Sequence, residues 1–150
     1  MDKPTIFIAH GHDSTAREQL ELLLRKLDLT PFVLQDNPGG MTIIEELENH
    51  IYTGIDFGIV LLTPDDEGYK ANEPNRKRYR ARQNVILEMG MLFAAIRRKN
   101  VALLIKGNVE IPSDIEGIHY HGFKEHIDEI AVDLCRHMKQ SGIPIDFNKL

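Results

Sequence analysis

Apolar and polar positions alternate in blocks along this chain, and the period of the alternation switches between that of a strand and that of a helix. Thr5 to Ala9 is a short apolar run with β-branched residues and predicts a first strand. His10-Gly11-His12-Asp13 follows as a turn. Ser14 is placed to cap a helix running to about Leu27, with Ala16, Leu20, Leu23, Leu24 and Leu27 as its apolar stripe. Pro31 opens a second strand through Leu34, and Gln35-Asp36-Asn37-Pro38-Gly39-Gly40 carries strong turn chemistry. Thr42-Ile43-Ile44-Glu45 fits a capping box whose helix reaches about Tyr52. Phe57 to Leu62 is continuously apolar, as a strand buried on both faces must be. Thr63 to Arg82 is polar, holds Pro64 and Pro74, and is too long for a plain connection. Val85 to Ile96 predicts a helix ending near Arg98-Lys99, apolar enough to read as buried. Val101 to Ile105 predicts another buried strand and Ile118 to Phe123 a weaker one. Ile127 to about Gln140 is a final helix closed by Gly142 and Pro144.

Strands alternating with helices imply an α/β fold with a parallel sheet covered on both faces. Five strands fit a flavodoxin-like order, 2-1-3-4-5, and ligands of such sheets bind beyond the carboxyl ends of the strands at the switch point. Three segments are expected to meet there: His10 to Asp13, Gln35 to Gly40, and Thr63 to Asp66. The start of the Val85 helix belongs to the same edge.

Composition narrows the function classes. At 150 residues the chain fits one domain, alone or as part of a longer fusion protein. A formal charge of -5 argues against a broad nucleic-acid or membrane footprint. Cys135 is the single cysteine, which suits a cytoplasmic setting, and Ile6 to Ala9 is far too short for a signal or membrane segment. Neither a P-loop nor a G-x-G-x-x-G motif is present.

One residue stands out chemically. Glu88 is the only charged position from Val85 to Ile96. A carboxylate on an apolar helix loses hydration, at an effective cost on the order of several kcal/mol unless a partner or a cleft compensates. Asn84 lies one turn earlier on the same face, and Arg80 and Arg82 lie just upstream. Two readings stand side by side: a catalytic or binding carboxylate, or a structural ion pair with Arg80 or Arg82. Arg80 and Arg82 could instead hold a diphosphate. Arg76, Lys77 and Arg78 read as a solvated loop or a contact between protomers. His10 and His12 flank a glycine at a spacing too weak for a metal site, and no metal is expected. The better reading is a loop whose backbone N–H groups face a ligand, with Gly11 allowing close approach and Asp13 helping to cap the helix. Thr63 is favoured for a ligand contact; Asp65 and Asp66 are favoured for capping. His119 and His121 read as partly exposed, and Cys135 as a small core residue.

Phe7-Ile8-Ala9-His10-Gly11-His12-Asp13, Leu61-Leu62-Thr63-Pro64-Asp65-Asp66 and above all Arg80-Ala81-Arg82-Gln83-Asn84-Val85-Ile86-Leu87-Glu88-Met89-Gly90 resemble the bacterial TIR-like nucleotide-binding effector domains of cyclic-nucleotide anti-phage defence. Lys106-Gly107 and Glu110 to Asp114 resemble them too, and the similarity runs from about Pro4 to Gly142. The resemblance implies a TIR fold and NAD⁺ hydrolysis after self-association into an oligomer or filament. It implies NAD⁺ as substrate, with no further cofactor, and a cyclic-nucleotide sensor, STING-like or other, in cis or in trans. Glu88 occupies the place of the catalytic carboxylate. His10, Gly11, Asp13, Thr63, Arg80, Arg82 and Asn84 are the expected ligand-binding residues, and Gln35 to Gly40 resembles a mobile loop of a composite site. Two other functions remain open: a non-catalytic TIR adaptor, and a nucleoside N-glycosidase on the same fold.

Overall fold

Successive residues of a strand leave the sheet on opposite faces, and in this chain both sets are apolar. The computed structural model describes residues 2–34 and 42–150. The Gln35 to Gly40 turn lies outside the described residues. Five parallel strands form the sheet: β1 (Thr5–Ala9), β2 (Thr30–Phe32), β3 (Phe57–Leu62), β6 (Val101–Lys106) and β7 (His121–Phe123), in the order β2-β1-β3-β6-β7. Between β3 and β6 come two short strands, β4 (Asp66–Gly68) and β5 (Arg78–Arg80), paired antiparallel as a separate hairpin. With the hairpin set aside, the order is the expected 2-1-3-4-5 doubly wound one.

Among the described residues, four α-helices cover the sheet: α1 (Ser14–Lys26), α2 (Ile43–Ile51), α3 (Gln83–Ile96) and α4 (Ala131–Gln140). Ile6 and Ile8 of β1 and Phe57, Ile59 and Leu61 of β3 join Leu20 and Leu24 of α1 and Leu134 and Met138 of α4 in one core layer. Phe7, Ala9, Val60 and Leu62 join Leu47 and Ile51 of α2 and Val85, Met89 and Leu92 of α3 in the other. Gly58 brings α3 close to the sheet, since a Cβ there would lie 3.1 Å from both methyl carbons of Leu92.

Several expectations need correction. Asp13, not Ser14, caps α1, accepting from the Ala16 N–H at 2.9 Å. The second strand is Thr30–Phe32 and does not reach Leu34. The helix of Glu88 is not buried all round. It covers one face of the sheet, so Val85, Met89 and Leu92 are buried whereas Leu87 is 52% exposed. It ends at Ile96 because Arg97 turns to φ 73°, and Arg98–Asn100 form a short 3₁₀ turn. The segment from Thr63 to Arg82 is, as its length required, no plain connection, since it holds the β4–β5 hairpin. Arg76, Lys77 and Arg78 are exposed, as expected, with Lys77 reaching Glu67 at 3.2 Å and Arg78 reaching Glu110 at 3.8 Å. His121 is buried, while His119 is exposed. Thr42 does cap α2, accepting from the Glu45 N–H at 3.2 Å.

Candidate active site

β1 and β3 are neighbours whose chain continuations leave in opposite directions, so a crevice opens beyond Ala9 and Leu62. α3 begins on this edge and α2 flanks it. A pocket of about 290 Å³ opens there, near the small end of the usual range for ligand sites. Its polar wall is His10, Arg82, Asn84 and Glu88. Its apolar wall is Leu34, Ile43, Ile44, Leu47 and Leu87, with Ile8 from the end of β1.

Glu88 is half-buried on the inner side of α3. Burial pushes its carboxyl up to about 7, and the nearby positive charge of Arg82 only partly opposes this. No ion pair joins Glu88 to Arg80 or Arg82 among the described residues. A carboxylate held this way, facing a cavity, is able to meet a cationic or hydroxyl-bearing ligand.

Of the other residues singled out in the sequence, His10, Arg82 and Asn84 stand on the same pocket wall as Glu88. Gly11, Asp13, Thr63 and Arg80 do not line it. Asp13 accepts from Lys106 Nζ at 2.6 Å as well as capping α1. Burial raises its pKa, but the Lys106 hydrogen bond and charge and the Ala16 N–H outweigh this and hold the carboxyl below its ordinary value. Thr63 is buried and donates to Asp65 Oδ1 at 2.7 Å. Arg80 leads away from the pocket and pairs with Glu110 at 3.2 Å. Sequence reasoning missed the apolar wall. Ile43 and Ile44, placed in the first turn of α2 directly after the glycine-rich loop, were the available signal.

Residues 5–125 match a family model described as CAP12/Pycsar effector protein, TIR domain. The chain belongs to this family. The family is that of TIR effector domains in anti-phage systems. This TIR domain is 38% identical over 145 residues to the uncharacterized protein YuaY of Escherichia coli (strain K12), covering 96% of the chain and 48% of YuaY. It is 32% identical over 139 residues to protein tirC of Dictyostelium discoideum, covering 86% of the chain and 69% of tirC. The chain thus spans about half the length of YuaY. Its fold resembles the crystal structure of a sensor protein from Polaromonas sp. JS666, with a TM-score of 0.51 at 15% identity over 94% of this chain and 100% of that one. Among the described residues, no helix is long and apolar enough to cross a membrane.

Proposed function

We propose that this TIR domain is an NAD⁺ glycohydrolase, and that Glu88 is its catalytic carboxylate. The observation that carries this reading is a half-buried acid on a pocket wall at the sheet's switch point, within a family of anti-phage effectors. The chemistry asks little of the protein beyond that acid. The bond from ribose C1′ to the pyridinium nitrogen breaks with its electron pair going to the nitrogen, so nicotinamide leaves neutral and needs no proton. The ribose is left with an oxocarbenium-like centre, which an ionised Glu88 on the pocket wall stabilises. Water then adds at C1′ and loses a proton, giving ADP-ribose; capture by the adenine instead gives a cyclic product. A single carboxylate is sufficient, unlike the pair an ordinary glycosidase uses. The apolar wall of Leu34, Ile43, Ile44 and Leu47 suits a flat aromatic ring, and the positive charge of bound substrate favours the ionised form of Glu88.

In this reading activity is gated by self-association downstream of a cyclic-nucleotide sensor, fused or separate. Ile43 and Leu87, 55% and 52% exposed at the pocket mouth, offer apolar area to a second copy. That exposed rim also favours the second reading, a non-catalytic adaptor. The test is NAD⁺ consumption with nicotinamide followed by chromatography, on wild type and Glu88→Ala, with assembly verified. Cleavage by wild type alone supports the enzyme and the role of Glu88. Cleavage by both moves the catalytic group elsewhere, and silence from verified assemblies of both favours the adaptor.

A further inference from the structure

Asp65 sits three residues beyond the end of β3 and receives three hydrogen bonds from three segments. Oδ1 accepts the Thr63 hydroxyl at 2.7 Å and the His12 N–H at 3.1 Å. Oδ2 accepts the Arg82 N–H at 3.2 Å. The donors come from the β3 terminus, the β1–α1 loop and the residue that opens α3. Gly11 has no side chain where this carboxylate lies: a Cβ there would stand 1.8 Å from Asp65 Oδ2. The close approach that Gly11 permits is therefore to Asp65. The β4–β5 hairpin serves the same junction, since its register pairs Asp66 with Arg80 and so returns the chain from Asp65 directly to Ala81 and Arg82. Arg82 opens α3 with no side-chain cap of its own, so the Asp65 carboxylate is the anionic group at that helix start.

We propose that Asp65 is the positioning residue of the Glu88 pocket, holding the His10 loop and the Arg82 end of α3 in the arrangement that places both on the pocket wall. It does not line that pocket; it acts through His10 and Arg82. The proposal rests on the reading of Glu88 as the reacting group. Among the described residues, His10 and Arg82 are the titratable groups that line the pocket with Glu88; α2 presents only Ile43, Ile44 and Leu47 to it. Loosening Arg82 removes a charge that favours the ionised form of Glu88.

The test compares wild type with Asp65→Asn, which keeps the size but replaces one acceptor by an NH₂ group facing another N–H. Three quantities are measured: hydrogen exchange of the His12 and Arg82 amides, the titration midpoint of the Glu88 carboxyl by NMR, and kcat and KM for NAD⁺ in assembled samples. The expected result is exchange at least about 10-fold faster at those two amides with β3 and β6 protection unchanged. The Glu88 midpoint moves upward, and kcat falls at least about 10-fold with KM little altered. Gly11→Ala, which displaces the carboxylate without removing it, gives the same pattern and carries the test should Asp65→Asn fail to fold. Faster exchange with an unmoved Glu88 midpoint and wild-type kcat overturns the proposal, leaving Asp65 a stabilising turn residue. A wild type that does not cleave NAD⁺ when assembled overturns the catalytic reading instead; the two amides and the Glu88 midpoint then decide the positioning claim by themselves.

Discussion

The histidine pair on the β7 edge and Glu88 at the switch point are both desolvated, with different consequences. On the β7 edge, His121 is buried beside His137. His137 Nε2–H donates to the Lys99 carbonyl at 3.3 Å, which leaves Nδ1 to accept from His121 Nε2 at 3.2 Å. The ring of Phe57 packs edge-on against His137 at 5.4 Å and that of His119 against His121 at 4.9 Å. Burial disfavours the charged forms of His121 and His137, and each ring has a hydrogen-bond partner; among the described residues no group of three or more His, Cys, Asp or Glu side chains is arranged to hold a metal. At the switch point, Glu88 is desolvated too, yet among the described residues its carboxylate has only the charge of Arg82 for company and opens on a cavity. Satisfied burial builds structure. Unsatisfied burial facing a pocket leaves interaction capacity for a ligand.

The sharpest way to break this contrast is to neutralise each group. Glu88→Gln keeps the shape and removes the ionised form, and NAD⁺ turnover is expected to fall at least about 100-fold, read by nicotinamide release. The same variant is expected to be more stable than wild type. The folded state holds the Glu88 proton up to about 7 whereas the unfolded chain releases it near 4.5, so wild type loses stability as pH rises through that window. At pH 8 the gain in Glu88→Gln is about 2 kcal/mol, discounted for partial solvent access, and at pH 4 it vanishes; urea melts at the two pH values measure it. A satisfied structural acid would show the opposite sign.

The histidine pair responds the other way. Burial, then the neighbouring His137 and His119, push His121 down to about 4, while the unfolded imidazole titrates at 6.5. The unfolded chain therefore binds more protons between these values, and stability falls as pH drops from 6.5 to 4. His121→Gln is expected to lose the His137 hydrogen bond but flatten that acid limb by about 2 kcal/mol, read as the difference in unfolding free energy between pH 7 and pH 4.5. The smallest effect concerns Arg82. Arg82→Gln removes the charge that opposes the burial of Glu88, so the pH midpoint of NAD⁺ turnover moves upward, while the acid limb of stability set by His121 does not move.

Much of the contrast was legible in the sequence, for identifiable reasons. A lone charge in Val85 to Ile96 marks itself, because an apolar helix offers a carboxylate no solvent on its inner side. Asn84 follows from helical spacing, Arg82 from its place at the helix start, and His10 from its place after β1. The histidine pair was not legible. Its partners are His137 and the Lys99 carbonyl, and β7 meets α4 only in the folded chain. Nor was the separation of Arg80 from Arg82, two residues apart in sequence. The pairing of β5 with β4 turns Arg80 to Glu110 while Arg82 reaches the pocket.

The sequence by itself determined the doubly wound α/β order, the two apolar layers, the switch-point edge and the isolated Glu88, because period and local burial preference are written residue by residue. Tertiary structure alone decided which of the flanking polar groups share the pocket, that α3 leaves Leu87 in the open, and that Asp65 gathers His12, Thr63 and Arg82 around one carboxylate. Those are long-range contacts between segments with no local signal. They depend on the hairpin closing and on a glycine at position 11 leaving space for another residue's side chain.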